Sequence, residues 1–297
     1  MKSYTDLNTE IQNSKTLDIH NFDTNKILEI INDEDSRVAN VVKEAIPEIK
    51  RTIDKTVESV KLGGRIFYIG SGTSGRLGVL DASEIPPTYS ASKNLFIGII
   101  AGGDIALRNS IEGAEDNTVN AIKDLEPYNI DDKDTVIGIS CSGAANYVIS
   151  ALEYSRKKDA STVYLVTNPN PYRLTEVDII IKADTGPEVV TGSTRMKAGT
   201  ATKMILNMIS TTTMIKLGKV YKNLMVDLMA VNNKLIDRGI RVISMITNVD
   251  YNLAEKKLYE ANKSVKAAIV MIKLDCSLDI ANQRIEESEG ILDKIID

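Results

Sequence analysis

Five short apolar runs between residues 65 and 182 constrain the fold more than any other feature of the sequence. They read RIFYIG, LFIGIIA, TVIGIS, TVYLVT and DIIIK, and helical-looking stretches such as GRLGVLDASE and GAANYVISALEY lie between several of them. Continuous apolar runs of this length are typical of strands buried on both faces, and their alternation with helices indicates a parallel sheet. The pattern predicts an α/β fold in three layers, with a five-stranded parallel sheet flanked by helices.

The segments on either side of these runs predict the domain organisation. An irregular arm and helices precede the first run, and from about residue 236 the sequence becomes poor in strands and rich in helical patterns. We therefore expect an N-terminal arm and helices in residues 1–60 that pack on the core, an α/β domain in residues 61–235, and a small helical C-terminal domain in residues 236–297.

Composition argues against several classes of site. The 297 residues carry a net charge of −5, which is unfavourable for a nucleic-acid binder. The N-terminus is too polar for a signal peptide, and no apolar run approaches the ~18 residues of a membrane span. Two cysteines and one histidine are too few for a disulfide framework or a His/Cys metal site. We expect a cytoplasmic protein with neither nucleic-acid nor membrane partners.

Loops rich in glycine and serine follow the first and third runs, at the strand ends where parallel sheets bind ligands. The loop GSGTSGR contains the G-x-G-x-x-G of dinucleotide sites, but the next strand ends in Ala-Gly-Gly rather than in the acidic residue that such sites use. Each loop alone is also compatible with a tight turn or a helix cap. Together, their hydroxyls favour a phosphate or phosphosugar: Ser71, Thr73, Ser74, Ser140 and Ser142.

A third segment, TGSTRMKAGT, opens a long predicted helix with two cations, Arg195 and Lys197. Cations at a helix N-terminus are locally unfavourable unless they face an anion or solvent. The segment therefore hints at an anion near the helix start.

Two carboxylates complete the candidate chemistry. Glu84, in LDASEIPPTY, is predicted at the C-terminal end of the helix that begins in the first loop, in an apolar setting that favours a protonated acid. The pattern around Glu115, in SIEGAED, is that of an acidic first helical turn. One protonated and one ionised carboxyl group are nevertheless what an acid/base elimination requires.

These segments together resemble one family. IGSGTSGRLGVLDASEIPPTY, IAGGDIALRNSIEGAEDN and PEVVTGSTRMKAGT are similar to segments of the bacterial N-acetylmuramic acid 6-phosphate etherases, and the similarity extends over nearly the whole chain. The resemblance implies the sugar isomerase (SIS) fold and a homodimer. It also implies a lyase that converts N-acetylmuramic acid 6-phosphate into N-acetylglucosamine 6-phosphate and D-lactate, without metal or organic cofactor, in cell-wall amino sugar recycling.

The resemblance also implies residue roles. Glu84 would protonate the departing lactate, and Glu115 would remove the proton from carbon 2 of the sugar. The substrate would be bound by Ser71, Gly72, Thr73, Ser74, Ser140, Ser142, Gly143, Ser193 and Arg195.

The second loop departs from the family pattern. It reads CSGAANYV where the family usually has A-S-G-R-T-P-Y-V, so Ala144, Ala145 and Asn146 replace an arginine, a threonine and a proline. The departure keeps open a non-catalytic phosphosugar-binding protein, such as the related glucokinase regulatory protein. An aldose–ketose isomerase of the same fold is a weaker alternative, and the presence of both glutamates favours the etherase.

Overall fold

The structure is a computed structural model that describes residues 7–228, 230 and 232–296. Residues 1–6 of the expected arm and residue 297 lie outside the described residues. The chain divides into two compact units, one formed by residues up to Ser83 with Asn94–Ser210 and the other by Glu84–Lys93 with residues from Thr211 onward. The boundaries predicted at residues 60 and 235 stay a prediction.

The first unit contains the predicted alternation of strands and helices. Its elements are α1 (Thr24–Asp35), α2 (Val38–Glu44), α3 (Ile46–Lys61), β1 (Ile66–Gly70), α4 (Gly72–Tyr89), β2 (Phe96–Ile100), α5 (Thr118–Leu125), β3 (Thr135–Ile139), α6 (Asn146–Arg156), β4 (Ser161–Val166), β5 (Ile179–Lys182) and α7 (Lys197–Lys216). The last residues of α4 and α7 belong to the second unit.

The five strands form one parallel sheet in the order β2-β1-β3-β4-β5. Every residue of β1 and β3 is buried, as expected for central strands covered on both faces. Gly70, at the end of β1, pairs with Ile100 on one side and with Ile139 on the other. The ends of these three strands therefore share one edge of the sheet.

Helices cover both faces of the sheet, which confirms the three-layer prediction. Phe67 and Ile69 belong to the same buried cluster as Leu125 of α5 and Tyr147 of α6. On the opposite face, a Cβ added to Gly78 of α4 would lie 2.9 Å from the Cβ of Tyr68. The close approach of α4 to β1 therefore requires a glycine at this position.

The second unit is mostly helical, which agrees with the helical C-terminal region that the sequence predicts. It contains α8 (Asn233–Thr247), α9 (Tyr251–Glu260), α10 (Val265–Leu274), α11 (Leu278–Glu287) and α12 (Asp293–Ile296). A two-stranded ribbon, β6 (Val220–Tyr221) with β7 (Leu224–Met225), was not predicted, because strands of two residues leave no periodic signal. Among the described helices, none has the length and apolar character needed to cross a bilayer.

Candidate active site

The serine-rich loops after β1 and β3 meet at the point where the strand order reverses direction. In a sheet of order 2-1-3-4-5, the crevice outside the ends of strands 1 and 3 is the usual ligand site. Ser74 Oγ, in the first loop, lies 3.5 Å from Cys141 Sγ in the second. The two loops that the sequence predicted to converge therefore do so.

Glycines in the first loop allow α4 to approach β1. A Cβ on Gly75 would lie 2.6 Å from the carbonyl oxygen of Gly70 and 2.6 Å from Cγ1 of Ile100. Gly72 has a positive φ of 52°, which favours glycine at this position. The resulting turn leaves the first N–H groups of α4 at the sheet edge, where they form a favourable environment for an anion.

Hydroxyls of the second loop make local hydrogen bonds. Ser140 Oγ accepts a hydrogen bond from the N–H of Ala145 at 3.4 Å, and Ser142 Oγ accepts one from the N–H of Ala144 at 3.2 Å. Gly143 has a φ of 75°, and a Cβ there would collide with Pro171. Because a hydroxyl that accepts can still donate its own proton, both serines combine these bonds within the loop with the capacity to donate to a ligand.

The start of α7 lies next to the first loop and is capped by a carboxylate that the sequence pattern did not reveal. A Cβ on Gly199 would lie 3.5 Å from Cγ2 of Thr73. Glu188, which is fully buried, accepts hydrogen bonds from the N–H groups of Lys197 at 3.0 Å and Ala198 at 2.9 Å. Burial raises the pKa of Glu188, and these two N–H groups oppose that effect. Its position nine residues before the helix matches no capping motif, so no local signal identified it.

Lys197 does not face the candidate site as the sequence hinted. Its buried ammonium lies 2.6 Å from Oε2 of Glu34, and the ammonium of Lys15 lies 3.1 Å from Oε1 of the same carboxylate. Burial alone would raise the pKa of Glu34, but its hydrogen bonds to these two lysines and their positive charges lower it to about 2. The anion that Lys197 faces is therefore Glu34. Two residues that the resemblance implies in substrate binding lie in the turn before α7. Arg195 is exposed, and Ser193 is partly buried.

Glu115 lines a cavity of about 210 Å³ next to the first loop. The cavity is bounded by Ser71, Gly72 and Arg76 on one side and by the segment after β2 on the other. The residue is exposed overall. Partial desolvation of its carboxyl group, together with the charges of Asp116 and Glu112, nevertheless raises the pKa of Glu115. The structure thus brings together a carboxyl group of raised pKa and the predicted anion loop.

Glu115 does not lie in the first turn of α5, where the local pattern placed it. It belongs to a 3-10 turn at Ala114–Asp116, and α5 begins only after Asn117. The Asn117 side chain accepts a hydrogen bond from the N–H of Asn120 at 2.9 Å and caps that helix. This N-cap signal was present in the sequence and would have placed the helix start after Glu115.

Glu84 also differs from its predicted setting. The helix α4 does not end at this residue but continues through Pro86 and Pro87 to Tyr89. Each proline removes one hydrogen bond and crowds the carbonyl one turn earlier, and burial of Ile85 and Tyr89 supports the last turn. Glu84 itself is exposed, so the apolar surroundings expected for it are not found. Twelve residues of α4, about 18 Å of helix, separate it from Gly72.

The atypical second loop makes a contact with the turn that carries Glu115. Asn146 Nδ2 donates a hydrogen bond to Oδ1 of Asp116 at 3.1 Å. Asn146, which replaces a proline of the family pattern, therefore contacts Asp116, the residue next to Glu115. Within the described part of the chain, no group of three or more His, Cys, Asp or Glu side chains could hold a metal ion.

Comparison with known proteins gives extended matches. A model of the glucokinase regulatory protein N-terminal SIS domain matches residues 48–156. N-acetylmuramic acid 6-phosphate etherase 1 of Bacillus licheniformis is 49% identical over 290 residues, which cover 98% of this chain and 95% of that protein. The N-acetylmuramic acid 6-phosphate etherase of Oceanobacillus iheyensis is 50% identical over 288 residues, which cover 97% and 98%. A solved structure, the phosphoheptose isomerase of Neisseria gonorrhoeae, is similar with a TM-score of 0.48 and 13% identity, over 64% of this chain and 98% of that one.

Proposed function

The chain belongs to the N-acetylmuramic acid 6-phosphate etherase family, and we propose that it catalyses the reaction for which that family is named. The protein is a carbon–oxygen lyase that cleaves the D-lactyl ether of N-acetylmuramic acid 6-phosphate. Its products are N-acetylglucosamine 6-phosphate and D-lactate. Relatives that are about half identical over nearly the whole chain favour this function over a non-catalytic phosphosugar-binding protein.

One observation of the site carries the proposal, namely the position of Glu115 in a cavity that Ser71 and Gly72 also line. In the open-chain sugar, the aldehyde acidifies the proton on carbon 2. The Glu115 carboxylate takes that proton, and the electron pair expels the lactyl oxygen from carbon 3. A base of raised pKa holds an abstracted proton better than an ordinary carboxylate does, which suits this role.

Glu84 is the proposed acid that protonates the departing lactate. Water then adds across the new double bond, the hydroxyl to carbon 3 and a proton to carbon 2, so that the overall reaction consumes one water. In this proposal the acid and the base are different residues, as an elimination followed by hydration requires.

The loops around the switch point are the proposed binding site for the phosphosugar. N–H groups at the start of α4 suit a phosphate because they combine unpaired donors with the positive end of the helix dipole. The hydroxyls of the two loops add further donors, and Ser193 and Arg195 are proposed to contact the substrate from the turn before α7. The full proposed set is Ser71, Gly72, Thr73, Ser74, Ser140, Ser142, Gly143, Ser193 and Arg195.

We also propose that the protein works as a homodimer in the cytoplasm. Both cysteines are free, Cys141 buried and Cys276 partly exposed, which suits a reducing compartment. Sedimentation of the purified protein tests the dimer, with a monomeric species at enzymatic concentrations as the contrary result.

The acid and base roles are tested with Glu84→Gln and Glu115→Gln. Each substitution preserves size and removes the ionisable group, so lactate release should fall by roughly 10²–10⁴-fold. In deuterated water, Glu84→Gln should still exchange the carbon 2 proton of recovered substrate, whereas Glu115→Gln should not. Asp104→Asn, an exposed acid in the segment after β2, is the matched control and should release lactate like the unaltered protein.

The contrary results are equally specific. Full lactate release by either glutamine variant removes that residue from the mechanism. If the unaltered protein binds the substrate and releases no lactate, the etherase proposal itself fails.

Mixing the two inactive variants tests whether Glu84 and Glu115 of one active site come from the same chain. Recovered activity means that a dimer combines Glu84 of one chain with Glu115 of the other, and no recovery means that both come from one chain.

A further inference from the structure

We propose that Arg76 binds the lactyl carboxylate of the substrate, which makes the cavity beside Glu115 a subsite for a short carboxylate. The inference rests on the proposed etherase function and adds a specificity-determining residue to it. Arg76 is the last residue of the first loop, GSGTSGR, but it belongs neither to the proposed phosphosugar-binding set nor to the acid–base pair.

The charges around the cavity favour this assignment. Among the described residues that line it, Glu112 and Glu115 are acidic and Arg76 is the one cation. The substrate brings a carboxylate of its own on the lactyl group. Two wall carboxylates repel such a group, so its entry requires a nearby positive charge. Arg76 supplies that charge in the same cavity.

Arg76 is held in place by neutral groups, which leaves its charge available. Its Nε donates to the carbonyl oxygen of Leu107 at 3.1 Å, and its Nη2 donates to that of Asn109 at 2.9 Å. Because a guanidinium carries five N–H donors, these two bonds leave capacity for a ligand. None of the ion pairs between described residues includes Arg76, so its full charge acts on the cavity. A guanidinium fixed in this way loses little freedom when it binds a carboxylate.

The position of Arg76 on its helix is compatible with a bound anion. Arg76 is the fifth residue of α4, just beyond the first turn, where the unfavourable effect of the helix dipole on a cation is small. A bound anion removes that penalty and interacts favourably with both the helix and the guanidinium.

The order of atoms along the substrate explains why this cation lies beside the proposed base. The proton removed by Glu115 is on carbon 2, and the ether is on the adjacent carbon 3. Only the ether oxygen and one further carbon separate carbon 3 from the lactyl carboxylate. A base that reaches the carbon 2 proton therefore has the carboxylate within a few ångströms, and Arg76 lines the same cavity as that base. The product, N-acetylglucosamine 6-phosphate, lacks this carboxylate, so Arg76 distinguishes substrate from product.

The test compares Arg76→Met and Arg76→Lys with the unaltered protein. The readouts are kcat and KM for N-acetylmuramic acid 6-phosphate and the inhibition constant of N-acetylglucosamine 6-phosphate. Losing a charge-assisted contact should lower kcat/KM of Arg76→Met by roughly 10–100-fold, while product inhibition changes less than about threefold. Lysine keeps the charge without the planar fork and should give an intermediate loss. Arg108→Met, an exposed arginine of the same segment that does not line the cavity, should match the unaltered protein.

A substrate analogue with an amide in place of the lactyl carboxylate completes the design. It should react poorly with the unaltered protein and no worse with Arg76→Met. If Arg76→Met weakens product inhibition as much as it lowers kcat/KM for the substrate, the residue only holds the segment after β2. If kcat/KM is unchanged, the residue has no role. Either result overturns the inference. Both results presuppose lactate release by the unaltered protein, whose absence instead refutes the proposed function.

Discussion

Two clusters of charged residues in the first unit differ in burial and in ion pairing. At the start of α7, the carboxylate of Glu34 is buried and contacts the ammonium groups of Lys197 and Lys15. In the turn before α5, Glu115 is exposed and lies near two further carboxylates. None of the ion pairs between described residues includes Glu112, Glu115 or Asp116.

The difference suits Glu34 to a structural role and Glu115 to its proposed chemical role. Lysine contacts lower the pKa of Glu34 to about 2, so this carboxylate stays ionised and its charge is used to hold elements together. Partial desolvation and like charges raise the pKa of Glu115, so its proton affinity increases. A paired carboxylate makes a poor base, whereas an unpaired one of raised pKa suits proton transfer near neutral pH.

Removing one partner of the buried pair should have the largest effect on stability. Lys197→Met leaves Glu34 buried without its nearest cation, which should lower the free energy of unfolding by about 3–5 kcal/mol. Thermal unfolding followed by circular dichroism should show a melting temperature lower by roughly 10 °C. Lys50→Met, which removes a lysine from an ion pair exposed at both partners, is the matched control and should cost about 1 kcal/mol or less.

The pH dependence of the Lys197→Met variant tests the contribution of Glu34. In the unaltered protein, Glu34 has a lowered pKa, so its contribution is complete above about pH 4.5 and is lost as the pH falls toward about 2. Without Lys197 the folded-state pKa of Glu34 rises, so that contribution disappears at a higher pH. Joint replacement of Glu34 by Leu and Lys197 by Met should recover much of the stability, since no buried charge is left unpaired. A melting temperature unchanged in Lys197→Met contradicts the structural role.

Asp116→Asn, in the cluster around Glu115, should shift the pH profile of kcat/KM without a large change in stability. Burial is the main cause of the raised pKa of Glu115, and the charge of Asp116 is the next. The proposed base must be ionised to act, so activity should fall as the pH drops through this pKa. Removing a like charge lowers the pKa, and the acid limb of kcat/KM should shift to lower pH by roughly a few tenths of a unit.

Salt provides the control for that shift. The residues are exposed, so the displacement should shrink at high ionic strength, where the Debye length falls to roughly 3 Å at 1 M. Asparagine at position 116 can still accept the hydrogen bond from Asn146, which keeps the geometry constant. An acid limb that stays in place, or one that moves to higher pH, would mean that Asp116 does not act on the base through its charge.

The sequence predicted what depends on local pattern and on general rules for parallel sheets. The apolar runs identified all five strands of the parallel sheet, and the rule for strand ends placed the loops containing Ser74 and Cys141 at one crevice. These features were accessible because a buried strand, a glycine turn and a helix start each occupy a few consecutive residues.

Contacts between distant segments could not be predicted from local sequence pattern. Glu34 and Lys197 are 163 residues apart, and nothing in either segment identifies the other as its partner. The hint of an anion near the start of α7 holds for Lys197, and that anion is the Glu34 carboxylate rather than a ligand. The continuation of α4 through Pro86 and Pro87 depends on burial of its last turn, which outweighs the local tendency of proline to end a helix.

The smallest effect concerns the contact between the loop that differs from the family pattern and the turn that carries Glu115. Asn146 is the first residue of α6, a position at which proline fits because the N–H that it lacks has no partner within the helix. Asn146→Pro should therefore leave the melting temperature within about 2 °C, yet it removes the donor to Asp116. We expect kcat/KM to fall by roughly twofold to fivefold, as for the loss of one exposed hydrogen bond. Asn146→Ala should match it, because both variants lack the side-chain amide. If proline retains full activity and alanine does not, the helix start rather than the amide determines the effect, and the turn containing Glu115 is held without help from the second loop.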